Sequence, residues 1–382
     1  MNSFFRIVLF ISFFATSLSD AKPFKRALIL AGGGLAPITY ASIAKHIEDL
    51  GWKPDLIIAT CGSSLSVNAL MGHPNRNDLN EFFLSREFHD FMRIPEISLK
   101  SAFEVNKLIS PVTSELNSTM FEKYILDAPD NVFMKNAPGK FPTQGTRYII
   151  VAGKTLFGPQ SNYEAMRVRF RETYFTDSKT AQYLRGRKSA IALQYPNSFI
   201  DRNVEVRTDI SPMEAARASI SDPVLMRPAF IDGDYYITGG INLYPIELAK
   251  DLADEVMVTY PLRFPQYMSD IVQETYGYSA LDRQAHVSKQ NVNWVDVHGK
   301  NNGFNPHLIL FKLVEGVPSN YYLYKRTAKA EWNFGLERAR EALNARQSGK
   351  QLSNIRKTVD KQNAKRNESN FKNPKKKYQH KR

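Results

Sequence analysis

Two short apolar runs near the start of the chain each end in a glycine- or serine-bearing turn, and each turn leads into a helix-like stretch. Ala27-Leu28-Ile29-Leu30-Ala31 runs into Gly32-Gly33-Gly34 and a helical pattern from about Ile38 to Leu50. About thirty residues on, Leu56-Ile57-Ile58-Ala59-Thr60-Cys61 runs into Gly62-Ser63-Ser64-Leu65-Ser66 and a helical pattern to about Met71. Strand then helix, twice in succession, predicts a parallel strand pair with a crossover helix, and so an α/β fold. The turns are also where such folds place chemistry. A strand-to-helix turn can expose a serine as a nucleophile, and backbone N–H groups at a glycine turn can hold an oxyanion.

At 382 residues and 43% hydrophobic content the chain can bury a large core, in one large domain or two ordinary ones. Arg6 precedes the apolar run Ile7 to Leu18, with small residues at Ser17 and Ser19. Residues 1–19 therefore read as a signal peptide, with an uncleaved anchor as the alternative, and predict an exported protein of the periplasm, envelope or medium. Cys61 is the single cysteine, which excludes an intramolecular disulfide. As the last residue of an apolar strand it reads as a small core residue. The net charge of +13 gathers at the C-terminus, where thirteen Lys and Arg from Ala345 onward face only Asp360 and Glu368. Residues 345–382 thus read as a basic, disordered tail following a domain over 24–344. The tail is either a solvated extension or a contact for anionic lipid headgroups. With only Phe371 and Tyr378 to stack on bases, no specific nucleic-acid partner is expected.

Further along, Tyr148–Ala152 reads as a strand, and Ser211 caps a helix with Pro212 at its first position. Ala229–Ile237 reads as a hairpin around Asp232-Gly233-Asp234, Pro245–Leu252 as a helix and Glu255–Tyr260 as a strand. Trp332–Leu343 reads as a charged amphipathic helix closing the domain. The histidines lack metal-ligand spacing, and no cofactor is expected. His73, nine residues past Ser64, would lie roughly 13 Å away on a continuous helix, too far for a triad. A dinucleotide fingerprint at the first turn is disfavoured, because Pro37 stands at its third glycine and Thr60-Cys61 supplies no ribose-binding acid.

Taken together, AGGGLAP, CGSSLS and the segment AARASISDPVLMRPAFIDGDYYITGG from Ala215 to Gly240 resemble the patatin-like phospholipase family of lipid acyl hydrolases. The resemblance runs from about Arg26 to Leu262 and implies a three-layer α/β/α domain with a mainly parallel central sheet. It also implies a Ser–Asp dyad, with lipid or acyl ester as substrate. By position it puts the nucleophile on Ser64, the oxyanion donors on Gly32, Gly33 and Gly34, and motif glycines on Gly62, Gly239 and Gly240. An N-cap role for Ser63 or Ser64 stays open. The sequence departs from the family pattern at the site. Ala36 replaces a basic residue, Pro37 a glycine, Ser66 the second elbow glycine and Thr238 the dyad aspartate. A threonine hydroxyl cannot take a proton at neutral pH, so the expected chemistry is weakened or lost. Asp234 would lie roughly 13 Å from Thr238 along an extended strand; Asp222 reads either as a solvated loop acid beside Pro223 or as a replacement base, with another acid as the alternative. Three functions follow: a weakened or inactive family member that binds acyl lipid, an active hydrolase using Ser64 with Asp222, or an envelope-binding protein acting through its tail.

Overall fold

The computed structural model describes residues 21–32, 36–94, 96–97, 120–121, 124, 126–131, 134, 136–223, 225–260, 266–297 and 320–348. The signal-peptide reading and nearly all of the basic tail fall outside them. The scaffold is a sheet of nine strands: β1 Phe24–Leu30, β2 Leu56–Thr60, β3 Arg147–Thr155, β4 Phe170–Thr176, β5 Glu205–Arg207, β6 Ala229–Ile231, β7 Asp234–Ile237, β8 Ala253–Tyr260 and β9 Asn293–Asp296. Its spatial order is β9-β8-β1-β2-β3-β4-β5, with β7 pairing β3 and β6 pairing β7. The first five of these strands are mutually parallel; β4 and β7 join β3 antiparallel.

The sheet is mostly parallel because crossovers carry helices onto its faces, so that its central strands are buried on both sides. The alternation of side chains makes the layers explicit. Leu28, Leu30, Ile57, Ala59, Ile150 and Ala152 point into one apolar cluster, whereas Ala27, Ile29, Leu56, Ile58, Ile149 and Val151 point into another. The first is covered by α1 (Pro37–Asp49), α2 (Ser63–Gly72), α3 (Pro212–Ile220) and a long helix over Tyr321–Ser348. The second is covered by α4 (Ile246–Leu252), α5 (Gln266–Tyr276) and α6 (Ala280–Val287). Helices on both faces of one sheet make the three-layer α/β/α arrangement. Full burial of each aliphatic side chain contributes about 1.5–3 kcal/mol before entropy is counted.

Local signals explain where the elements begin. Ser211 accepts from the Glu214 amide while Glu214 accepts from the Ser211 amide, a capping box with Pro212 at the first helical position. In the β6–β7 hairpin, Asp232 and Gly233 both take positive φ, 51° and 86°, as a two-residue primed turn requires. The closing helix, α7 (Tyr321–Ser348), starts well before Trp332 because Tyr321 and Tyr324 dock on the backbone carbonyls of Leu84 and Phe83. β4 lacks an apolar run to announce it. It buries Glu172 among Tyr174, Ser189 and Asn242, all of which donate to its carboxylate, while burial pushes that carboxyl's pKa up.

Candidate active site

The parallel strands β1 and β2 end side by side, and the loops leaving them are stitched together by threonines. The Ala31 amide donates to Thr259 Oγ1 at 2.9 Å, and the Gly32 amide donates to Thr60 Oγ1 at 2.8 Å. Tyr40 donates its hydroxyl to the Gly32 carbonyl. Gly32, expected as an oxyanion donor, therefore has both backbone groups engaged in holding the loop. Gly33 and Gly34 lie outside the described residues.

The corner between β2 and α2 is Cys61, not Ser64. Cys61 follows the last strand residue and carries φ +54°, a left-handed conformation rare for a non-glycine residue. It is partly exposed rather than a core residue. Three independent segments meet at this corner. A Cβ on Gly32 would come within 3.2 Å of Cys61 Cβ, and a Cβ on Gly239 would come within 2.6 Å of Cys61 N. Ser219 completes the junction, accepting from the Cys61 amide at 2.8 Å and donating to the Val151 carbonyl of β3 at 2.6 Å. The three family-like motifs thus converge, and Cys61 is the residue on which they converge.

Ser64 sits inside the first turn of α2 and is fully buried. Its hydroxyl donates to the Cys61 carbonyl at 2.6 Å, within 3.4 Å of the Ala216 carbonyl. Ser63 behaves similarly, donating to Thr60 and Leu30 carbonyls and accepting from the Thr60 amide. Ser66 donates to the Pro37 carbonyl at 2.8 Å, tying α2 to the start of α1. Gly62 has φ −55° and ψ −26°, a helical conformation that any residue adopts.

Thr238 is buried directly after β7 and is held by two bonds. Its amide donates to the Ser221 carbonyl at 2.9 Å, and its hydroxyl accepts from the Gly240 amide at 3.0 Å. It caps a short 3-10 turn over Gly239–Asn242, whose carbonyls receive the Tyr278 hydroxyl. Asp234 and Asp232 are hairpin charges turned away from this point. Asp234 pairs with Lys154 at 2.6 Å and Asp232 with Arg207 at 3.0 Å. His73 stacks on Phe82, with ring centroids 4.3 Å apart.

Asp222 follows Ser221, whose carbonyl holds Thr238, so it belongs to the same neighbourhood. Burial pushes its carboxyl up to about 7 from an ordinary 3.8. A carboxyl with that value can exchange protons near neutrality. The same shift has a consequence for stability. A carboxyl whose folded value is raised stabilises the fold fully below about pH 4, and that contribution is lost as the pH rises through about 7. Asp222→Asn should therefore stabilise the chain at pH 8, by about 2 kcal/mol after discounting for partial exposure, with the gain gone at pH 4. Urea unfolding of both proteins at pH 4, 6 and 8 checks this, and equal gains at all three values would refute it.

Sequence reasoning passed over Cys61 and two tyrosines. Tyr276 and Tyr244 are buried, with hydroxyls that have no hydrogen-bond partner among the described residues. Tyr276 lies within electrostatic reach of both Asp222 and Cys61, and Tyr244 within reach of Tyr40. The available signal was the frame of the motif. Aligned on the end of the strand, the elbow reads Ala59-Thr60-Cys61-Gly62-Ser63, with small residues at both glycine positions and cysteine at the centre.

Among solved structures, the chain is similar to VipD from Legionella pneumophila, with 10% identity, 85% of this chain and 67% of that one covered, and a TM-score of 0.34. No curated protein matches it. The model of the patatin-like phospholipase family matches residues 28–250, more than half of the chain and all three segments that meet at Cys61. With the mostly parallel sheet between two helical layers, this places the chain in the patatin-like phospholipase family.

Proposed function

We propose that this protein engages acyl lipids at the Cys61 corner and does not hydrolyse them through a serine. The family acts on lipid esters, which supports the substrate class. The observation that carries the reading is that Ser64 and Thr238, the two residues the resemblance puts in the dyad, both have their hydroxyls engaged within the fold. The Ser64 hydroxyl is buried and donates to the Cys61 carbonyl, and the Thr238 hydroxyl accepts from the Gly240 amide. A serine nucleophile needs its oxygen facing the substrate and an acceptor for its proton. Removing the base from a related serine system lowers turnover roughly 10⁴-fold. A serine-directed fluorophosphonate probe should leave the protein unlabelled, while a fluorescent fatty acid should bind. Labelling that disappears in Ser64→Ala would overturn this reading. It would favour the alternative, a hydrolase in which Asp222, held near neutrality by burial, takes the Ser64 proton.

Export and membrane attachment complete the reading, supported by the Ile7–Leu18 run and by the thirteen cations after residue 345. Deleting residues 345–382 should weaken binding to anionic vesicles at low salt at least tenfold, in co-sedimentation. Equal binding of the truncated chain would remove the tail from the account.

A further inference from the structure

We infer that Cys61 is an acyl acceptor, a thiol that takes the acyl group of a fatty-acyl thioester, with the Tyr276 hydroxyl donating to the acyl oxygen. The inference rests on the acyl-lipid reading above and deepens it by naming the nucleophile and the substrate class.

Position is the first support. Cys61 is the partly exposed residue at the strand-to-helix corner where the Gly32 loop, the Ser219 hydroxyl and the Thr238-Gly239 turn converge. Its left-handed φ is the conformation that lifts a side chain off the end of the sheet. It immediately precedes Gly62 and α2, a ten-residue helix whose N-terminal dipole stabilises negative charge developing at the sulfur. A thiol is intrinsically far more nucleophilic than a serine hydroxyl and does not require a dedicated base. The loss of the aspartate at Thr238 is therefore tolerable for cysteine in a way that it is not for serine.

The second support is independent of the cysteine. Tyr276 is 3% exposed, and its hydroxyl has no hydrogen-bond partner among the described residues. A buried hydroxyl left unbonded has given up water without gaining a partner, which is costly. It lies within electrostatic reach of Cys61 and of Asp222, in the same neighbourhood as the corner. Its ring is fixed by Phe170 at 5.1 Å and by Tyr278 at 6.3 Å, and Tyr278 in turn holds the Gly240 turn. A carbonyl oxygen arriving at Cys61 would satisfy the donor.

Leaving-group chemistry selects the substrate. Attack of the Cys61 sulfur on the acyl carbon forms a tetrahedral oxyanion, with the thiol proton released to water. With an oxoester, the choice at collapse is between expelling a thiolate and expelling an alkoxide. The alkoxide is the far stronger base, so the adduct reverts unless an acid protonates it. Thr238, where the resemblance implies the dyad acid, supplies no proton at neutral pH, and Asp222 would have to reach the leaving oxygen to supply one. With a thioester, the two sulfurs leave equally well. The C–S bond to Cys61 forms, the C–S bond to the donor breaks, and the departing thiolate recovers a proton from water. The products are S-acyl-Cys61 and a free thiol, with no net oxidation.

The test incubates the purified full chain with palmitoyl-coenzyme A, a palmitoyl thioester, and in parallel with methyl palmitate, an alkyl oxoester whose leaving group is an alkoxide. Cys61 is the single cysteine, so intact mass locates the modification and neutral hydroxylamine identifies it as a thioester. The folded chain should gain one palmitoyl group from the thioester about 100-fold faster than the urea-unfolded chain, and not at all in Cys61→Ala. Tyr276→Phe should slow acylation at least tenfold with an unchanged unfolding midpoint. A folded chain that reacts no faster than the unfolded one overturns the proposal. An oxoester rate equal to the thioester rate overturns the substrate class, and an unaltered rate in Tyr276→Phe overturns the role of the tyrosine. If a fluorescent fatty acid binds and no thioester forms, this inference fails while the acyl-lipid reading stands. If the fatty acid does not bind, that reading fails as well.

Discussion

Replacing Arg217 with methionine should lower the unfolding free energy by about 3–5 kcal/mol, because it removes one partner from a buried, fully bonded charge cluster. Arg217 is 1% exposed, and its guanidinium reaches four neighbours at once. It donates to the carbonyls of Pro129, Ala128 and Arg227 at 3.1, 2.8 and 3.1 Å, and to the Ser221 hydroxyl. Asp130 lies 3.3 Å away as its counter-ion. Burial, partly offset by Asp130, lowers its value to about 10. Methionine approximates the volume and leaves those carbonyls without donors in a site that water does not reach. A drop in melting temperature of roughly 10 °C follows for a domain of this size. Arg217→Lys keeps the charge without the planar fork and should recover less than half of the loss. Calorimetry on the three proteins measures it; a methionine variant within 1 kcal/mol of wild type would show that the cluster holds nothing together. Because Ser221 also holds the Thr238 amide, the variant should loosen the candidate site as well as the fold.

Gly239→Ala is expected to be comparably damaging by the opposite mechanism, overpacking. The added Cβ would lie 2.5 Å from the Val151 carbonyl, 2.6 Å from the Cys61 amide nitrogen and 2.7 Å from Ser219 Oγ. Two of these are backbone atoms of β3 and of the corner, so relief requires moving the scaffold, which costs about 3 kcal/mol. Ser219 Oγ, the one side-chain atom of the three, is the atom free to yield, and its displacement breaks the bond to the Cys61 amide. The variant should therefore show both a lower urea midpoint and faster alkylation of Cys61 by iodoacetamide under native conditions. A normal midpoint with a normal alkylation rate would mean that Gly239 does not clamp the corner. Gly240→Ala is the control, since its Cβ would meet only the Thr238 side chain, at 3.2 Å and beyond.

Much of the scaffold was legible because its causes are local. The apolar runs at 27–31 and 56–61 became β1 and β2, and the Ser211-Pro212 pair marked the start of α3. The Asp232-Gly233 turn marked the β6–β7 hairpin. β4 was not legible: its stabilising interactions come from residues far along the chain, with Asn242 donating to Glu172 across seventy positions. The site divided in the same way. The order of motifs puts Thr238 where the resemblance implies an aspartate, and that a threonine hydroxyl accepts no proton at neutral pH follows from its chemistry alone. Ser64 as nucleophile followed from anchoring the elbow on Gly62, the one glycine in the segment, which shifted the frame by three residues.

The sequence by itself determined the α/β class, the order of three family-like motifs and the absence of an aspartate at position 238. It could do so because strand alternation, helix caps and side-chain acidity are properties of a few adjacent residues. Only the tertiary structure decided which residue turns the corner and which polar groups remain unengaged. The conformation of Cys61 is held by Ser219, more than 150 residues away, and the Gly32 amide is taken by Thr60 on the neighbouring strand. Where a strand ends depends on the partners that continue or withdraw its hydrogen bonds, and those partners come from elsewhere in the chain.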